Sequence, residues 1–380
     1  MPTQQKPKWT QLKAILTLIA ITLVLGLVVF LIVNWSSNRA ERDVRVHPLP
    51  GTYNDSLSVF GDSVLYYDGQ NIRCLSATGS IQWDFPIGAN ADFHASNDYV
   101  AAWSGSTLYI INKNGKSTYN DNLGEKIQFA RIGKQYVAAV VGDVTTSRII
   151  VKDHMGAHMD EESVAYDGLI ILDTNFYGEH GEYMWSLALD VFATASNTIL
   201  NTYEVGRMNT GTSPLGEYVA YHVVFADSKL KVLTTRNIFT FNERGVLEES
   251  LNKLVYGWRL IDNAVSSRNE ELLLLAPATQ IDANYELRQL RLLSGEDDKR
   301  YDLPNVCVGG ILYNSHVYAF SSDQLLRAGQ RDSHFDTYDI PLDLPITRVI
   351  GTLTNGYALV ACGSEIYTVS LPKASTSLLP

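Results

Sequence analysis

Short apolar strands and turn residues alternate along most of this chain, in a unit that recurs. The stretch Val64–Tyr67 is followed by a turn, then by Ile72–Leu75, and then by a turn at Gly79. Similar units end at Gly115 and Gly156, so these turn glycines are 36 and 41 residues apart. Glycine supplies the positive φ that tight hairpin turns require. The repeat therefore predicts successive antiparallel hairpins rather than helices.

A period near 40 residues with about four strands per unit is typical of a β-propeller. The repeat occupies 56–371, which gives about 45 residues per blade for seven blades. We therefore expect an all-β propeller with seven blades, and eight is the alternative. The repeat blurs at 160–215, where we expect an insertion. Radial repetition also protects strand edges that an open sheet would leave unpaired.

The ends of such a ring must pair with each other. The pattern predicts that Ile366–Leu371 pairs with a strand from 56–67. The segments 172–183 and 206–216 depart from the repeat and are expected to be loops on the propeller faces, where binding usually resides. The chain after Leu371 lacks strand patterning, which predicts a loose tail over 372–380.

Residues 14–33 form an uncharged apolar run of 20 residues, bracketed by Trp9 and Trp35. A helix of that length covers a hydrocarbon core of about 30 Å, and interfacial aromatic residues flank such helices. A cleaved signal peptide has a shorter run of about 7–15 residues. We therefore expect a short tail (1–13), one uncleaved transmembrane helix (14–33) and a stalk (34–55) before the propeller.

Positive charges flank the apolar run almost equally. Three lysines precede it, three arginines follow it, and the terminal amino group tips the balance towards the N-terminal side. Positive charge favours the cytoplasmic side, and large domains cross membranes largely regardless of their charge. We expect a cytoplasmic N-terminus and an extracytoplasmic propeller at the cell membrane.

The charge balance bears on the class of partner. The chain has 41 Asp and Glu against 30 Lys and Arg, and beyond residue 45 the formal net charge is −15. Nucleic-acid-binding proteins usually carry a basic face, so no nucleic-acid partner is expected. The three cysteines, Cys74, Cys307 and Cys362, are too few for a disulfide framework and are interpreted as small buried hydrophobes. Their spacing leaves open whether any two of them pair.

The stretch Ile72–Trp83 joins an apolar strand, a Thr-Gly turn and a tryptophan. It resembles the repeat of quinoprotein-like (PQQ-like) propellers. The layout, together with Tyr183–Asp190 and Ser228–Val232, resembles a bacterial domain-of-unknown-function family of membrane-anchored propellers. Quinone-dependent dehydrogenases carry adjacent cysteines against their cofactor, and this sequence has no Cys-Cys pair. The resemblance thus implies a fold and an envelope location but no activity, and we interpret Trp83 as blade packing.

Three patterns could carry chemistry, and each is better explained by a turn or loop. Phe60–Ser63 matches the start of a GDSL esterase signature, but no Asp-x-x-His supplies a base for Ser63, so a hairpin turn is expected. The run 296–300 is expected to be an exposed hairpin. A solvated loop is expected for the densest set of potential metal ligands, His154, His158, Asp160, Glu161 and Glu162.

No catalytic, cofactor-binding or metal-binding residue is therefore assigned. The sequence favours a non-catalytic, membrane-tethered propeller, without cofactor, that binds a protein or glycan of the cell envelope. The alternative is a propeller enzyme, a hydrolase or a quinone-type enzyme, whose site is not visible in the sequence.

The predicted topology can be tested by protease added to intact cells or protoplasts. An extracytoplasmic propeller should be digested without lysis, because only the short N-terminal tail would be shielded by the membrane. Immunoblotting of a C-terminal tag measures this. Survival of the domain until lysis would show that the orientation is wrong.

Overall fold

The computed structural model describes residues 22–27, 44–53, 56–163, 166–266 and 269–373. These residues belong to two compact units. One unit spans Val46–Ser370, and the other combines Met1–Arg45 with Leu371–Pro380.

The predicted membrane segment is only partly described. Within 14–33, residues 22–27 are helical. In the described part of the chain, no helix is both long enough and apolar enough to span a membrane. The remainder of that segment, the predicted tail 1–13 and residues 374–380 lie outside the described residues.

The larger unit is built of eight four-stranded antiparallel sheets. The first strand of the unit, β1 (Val46–Thr52), belongs to the last sheet. The next four sheets are blades one to four. Blade one contains β2 (Leu57–Phe60), β3 (Ser63–Tyr67), β4 (Asn71–Ser76) and β5 (Ile81–Pro86), and blade two contains β6 (Ala91–Ala95), β7 (Tyr99–Ser104), β8 (Thr107–Asn112) and β9 (Ser117–Asn122). Blade three contains β10 (Ile127–Ile132), β11 (Tyr136–Val141), β12 (Arg148–Asp153) and β13 (His158–Glu162), and blade four contains β14 (Ile170–Tyr177), β15 (Tyr183–Asp190), β16 (Asn197–Glu204) and β17 (Met208–Pro214).

Blades five to eight complete the ring. A 3-10 turn, Glu249–Leu251, and a short helix, α1 (Ala278–Asp282), lie in blades five and six. Blade five contains β18 (Ala220–Ala226), β19 (Lys229–Thr234), β20 (Asn237–Asn242) and β21 (Lys253–Leu254), and blade six contains β22 (Trp258–Val265), β23 (Glu271–Pro277), β24 (Leu287–Ser294) and β25 (Asp297–Cys307). Blade seven contains β26 (Gly309–Tyr313), β27 (His316–Phe320), β28 (Gln324–Gly329) and β29 (Asp336–Asp339). Blade eight contains β30 (Arg348–Thr352), β31 (Tyr357–Cys362) and β32 (Glu365–Ser370), together with β1.

The propeller thus has eight blades, so the expectation of seven is wrong and the alternative of eight is confirmed. The expected insertion at 160–215 contains the whole of blade four, with strands of seven or eight residues. The apolar repeat is hard to recognise in blade four because some of its buried side chains are polar. One of them is Thr174, whose Oγ1 donates a hydrogen bond to the carbonyl of Trp185 at 2.6 Å. The expected face loops at 172–183 and 206–216 fall largely in β14 and β17, and that expectation is also wrong.

The ring closes between its two ends. β1 pairs antiparallel with β32, with Val46 opposite Val369 and Leu49 opposite Ile366. The predicted closure through 56–67 is wrong, because β2 and β3 form the start of blade one. The stalk interpretation of 34–55 does not hold for β1. Pro48 and Pro50 make β1 difficult to recognise as a strand in the sequence. An outermost strand nevertheless tolerates proline, because the N–H groups on its free edge have no strand to pair with.

The apolar core lies in the seams between neighbouring blades. In one seam, Leu65 and Ile72 of blade one pack with Val100 and Ile111 of blade two, all four fully buried. First strands of neighbouring sheets contact one another, as β6 does β10 and β26 does β30, so the first strands line the inside of the ring.

Trp83 packs between blades, as predicted. Its Nε1 donates to the carbonyl of Lys113 in blade two at 3.0 Å. Its ring lies on Gly115, where an added Cβ would lie 2.6 Å from the ring. Tyr119 covers Gly156 of blade three in the same way. Both glycines have positive φ, so the turn and the close contact each require glycine.

Leu49→Ala should test ring closure. Leu49 is 6% exposed and packs against the core shared by blades eight and one, so the substitution should lower the free energy of unfolding by about 2–4 kcal/mol. Urea denaturation of the full chain measures the loss. Leu344→Ala, at a position 42% exposed, is the matched control and should cost less than about 0.5 kcal/mol. Equal effects of the two substitutions would contradict closure by β1.

Candidate binding surface

The esterase-like segment is the hairpin turn that the sequence predicts. Phe60 pairs with Ser63 at the end of the β2–β3 hairpin. The Ser63 hydroxyl is buried and hydrogen-bonds to Asp62 Oδ1 at 3.0 Å and to Gln82 Oε1 at 3.2 Å. These bonds stabilise the turn and the edge of blade one.

The five potential metal ligands are not brought together. The ring of His154 lies 3.9 Å from that of Tyr99 in blade two, between centroids, and Glu161 pairs with Arg148 on the neighbouring strand. The loop interpretation is wrong for His158–Glu162, which pairs with β12 as the edge strand β13. Among the residues that the structure describes, no group of three or more His, Cys, Asp or Glu side chains could hold a metal ion.

Two further expectations, an exposed hairpin at 296–300 and buried cysteines, are confirmed. Glu296 lies in the exposed turn between β24 and β25, and residues 297–300 begin β25, where Asp297 pairs with Ser294. Arg291 holds Asp298 with two hydrogen bonds of 2.8 and 2.7 Å. The three cysteines are buried and unpaired. Burial raises the pKa of Cys74 and of Cys307 to about 12, so neither is a thiolate at neutral pH.

Polar side chains of the first strands link neighbouring blades inside the ring. We call His94, Arg131, Asp173, His222 and Asn263, which come from blades two to six, the inner belt. Arg131 Nε donates to Asp173 Oδ1 at 2.9 Å, and His222 Nε2 lies 3.2 Å from Asn263 Oδ1. Burial lowers the pKa of His94 to about 4, an effect that Arg131 reinforces. The neutral His94 ring accepts a hydrogen bond at Nδ1 from the backbone N–H of Ile132 at 3.2 Å.

Sequence reasoning missed the inner belt, although a local signal exists. In β14, β18 and β22 the register shifts immediately before Asp173, His222 and Asp262. A bulge of this kind re-aims a side chain. In the sequence, the signal is an Asp or His near the middle of each of these three first strands.

Asp262 is the most perturbed carboxylate of this region. Its Oδ2 accepts the N–H of Leu312 in blade seven at 2.7 Å, and its Oδ1 accepts the N–H of Asn263 at 2.9 Å. Burial raises its pKa to about 6. Like the inner belt, this group is engaged with its neighbours, so these side chains join blades rather than present a reactive group.

Strand order decides which loops share a face. In each antiparallel blade the turns between strands one and two and between strands three and four emerge on one face, which we call the first face. The turns between strands two and three and the crossings to the next blade emerge on the opposite, second face.

The second face carries exposed apolar side chains over blades three to six. Phe192 is 72% exposed and Tyr256 is 69% exposed, and the guanidinium of Arg236 lies 6.0 Å from the Tyr256 ring centroid. Aromatic side chains are enriched at protein interfaces. We call the following residues the apolar patch: Val144, Val191, Phe192, Val219, Leu254 and Tyr256.

Comparisons with solved structures support the fold. BamB from Moraxella catarrhalis is 8% identical with a TM-score of 0.53, over 86% of this chain and 100% of that chain. The WD40 domain of Pan2 from Neurospora crassa is 7% identical with a TM-score of 0.52, over 88% and 97% of the two chains. Both are β-propellers, and at these identities the likeness concerns the fold alone. No protein-family model and no curated protein matches the sequence. The resemblance to a membrane-anchored family stays a prediction.

Asp262→Asn should change the pH dependence of stability. The folded-state pKa of about 6 exceeds the ordinary value of 3.8, so this carboxyl contributes stability that is present below pH 3.8 and lost as the pH rises through 6. Relative to Asp262→Asn, the wild type should lose about 2 kcal/mol between pH 4 and 7.5. Urea denaturation at both pH values measures this. A constant difference between the two proteins would contradict the assignment.

Proposed function

We propose that this protein is a non-catalytic scaffold that binds a protein partner through the apolar patch. The observation that carries the proposal is the pair of exposed aromatic side chains, Phe192 and Tyr256, on one face of a closed ring. Aromatic and arginine side chains supply most of the binding energy at protein interfaces. Arg236 stands beside Tyr256, so the partner would offer apolar side chains and a carboxylate.

The chemistry of the ring interior supports a scaffold rather than an enzyme. The groups of perturbed pKa inside the ring, such as His94 and Asp262, hold backbone N–H groups of neighbouring blades. A reactive acid or base has to reach a substrate, and these groups are occupied by the structure itself.

The tethering of the propeller is a separate proposal. We propose that 14–33 anchors the chain in the cell membrane, with the N-terminus cytoplasmic and the propeller extracytoplasmic. The length of this uncharged run supports an anchor. The partner would then be a protein of the cell envelope.

Phe192→Asp and Tyr256→Asp should each weaken capture of the partner at least about tenfold, because each places a charge where an aromatic side chain is buried in the complex. Affinity capture from detergent-solubilised membranes with the tagged full chain identifies the partner, and titration of the purified partner measures the loss.

Met155→Asp is the matched control. Met155 is 72% exposed, as Phe192 is, but lies on the first face, so this variant should capture the partner at full strength. Full capture by both patch variants would contradict the proposal. A captured species that resists protease and is removed by a glycosidase would favour the glycan alternative.

A further inference from the structure

A cleft on the first face, at the seam of blades five and six, gathers three lysine side chains. Its volume is about 460 Å³. Lys229 and Lys231 reach it from the start of β19, and Lys253 from the start of β21. Glu271, the first residue of β23, completes the buried part of the lining. We call this the lysine cleft.

A buried ion pair forms its interior. Lys231 Nζ lies 3.0 Å from Glu271 Oε1, and the two side chains are 10% and 8% exposed. An ion pair buried to this extent stabilises a fold no better than apolar side chains of similar volume, because both charges lose their hydration. The pair is therefore better explained by a role in binding than by a role in stability.

The three ammonium groups of the lysine cleft have more N–H donors than they have acceptors among the described residues. An ammonium group has three N–H donors. Lys231 has Glu271 as its partner, Lys253 donates to the carbonyl of Gly295, and Lys229 lies 3.5 Å from Glu248. One such contact each leaves up to two further donors on every ammonium group that a ligand could use. Only Lys231 is buried, with 8% of the whole residue exposed, so a lack of acceptors is costly there, whereas water reaches the partly exposed Lys229.

The lysines also act on one another. Burial lowers the pKa of Lys253, and the positive charge of Lys231 adds to this effect while Glu271 opposes it. The two ammonium groups are thus close enough to repel. An anion between them would relieve this repulsion and accept the remaining donors.

We propose that the lysine cleft binds a small organic anion through one carboxylate or phosphate group held by Lys229, Lys231 and Lys253. The volume lies within the range of small-molecule sites, about 300–1,000 Å³. Asp227 and Glu296, both exposed, also line the cleft and would repel a polyanion such as a nucleic acid. The ligand therefore carries a single anionic group.

Binding can be measured on the full chain in a nonionic detergent. Sodium butyrate and sodium phosphate are the probes, because each carries one anionic group, and sodium chloride at equal ionic strength is the reference. The melting temperature should rise with at least one probe, because a ligand that binds only the folded state stabilises it. A response to butyrate alone identifies a carboxylate site, and a response to phosphate alone identifies a phosphate site.

Charge variants make the test specific. Lys253→Met and Lys229→Met should each weaken binding about tenfold or more in calorimetric titration, since each removes a charged donor. Lys126→Met, at an exposed lysine of the second face, is the matched control and should bind like the wild type. Glu271→Gln should show a larger rise in melting temperature on anion addition than the wild type, because Lys231 is then left without its counter-charge.

Two results would overturn the proposal. One is a melting temperature that follows ionic strength alone with both probes. The other is equal affinity of the wild type, Lys229→Met and Lys253→Met for the probe that binds. Lys229 is partly exposed, so its variant gives a reading even where Lys253→Met fails to fold.

Discussion

Pairing of β1 with β32 is the contact on which the rest of this structure depends. Blade eight takes three strands from the C-terminal end of the propeller and its outermost strand from the N-terminal end. Without β1, the edge of β32 would stay open and the core around Leu49 and Ile366 would lose one wall. The same seam carries the buried hydrogen bond from Thr368 Oγ1 to the carbonyl of Ala77, at 2.5 Å. The ring is therefore stabilised by contacts between residues nearly 300 positions apart.

In the closed ring, neighbouring blades are joined by contacts at two distances from the ring axis. Near the axis, the inner belt and Asp262 link side chains or backbone groups of adjacent first strands. Near the outer edge, side chains such as Trp83 and Tyr119 lie on glycine turns of the next blade. Because these contacts hold the ring, the loops of both faces are free to carry binding residues.

The two faces offer different chemistry to a ligand. The second face presents the apolar patch, which suits a macromolecular surface. The first face presents the lysine cleft, whose size and charge suit a small anion. The two sites lie on opposite faces, so occupation of one leaves the other accessible.

The sequence by itself determined the strands, the hairpin turns and the propeller class, because alternating apolar residues and turn glycines act over a few neighbouring residues. It left the number of blades undecided, because buried polar residues such as Thr174 hide blade four and two prolines hide β1. Only the tertiary structure decided the candidate sites. In the sequence, nothing distinguishes Phe192 from a buried apolar residue, and only the fold shows that it is exposed. Lys231 forms an ion pair with Glu271 only because blades five and six are neighbours. Exposure and charge pairing depend on which blades become neighbours, and no local pattern encodes that.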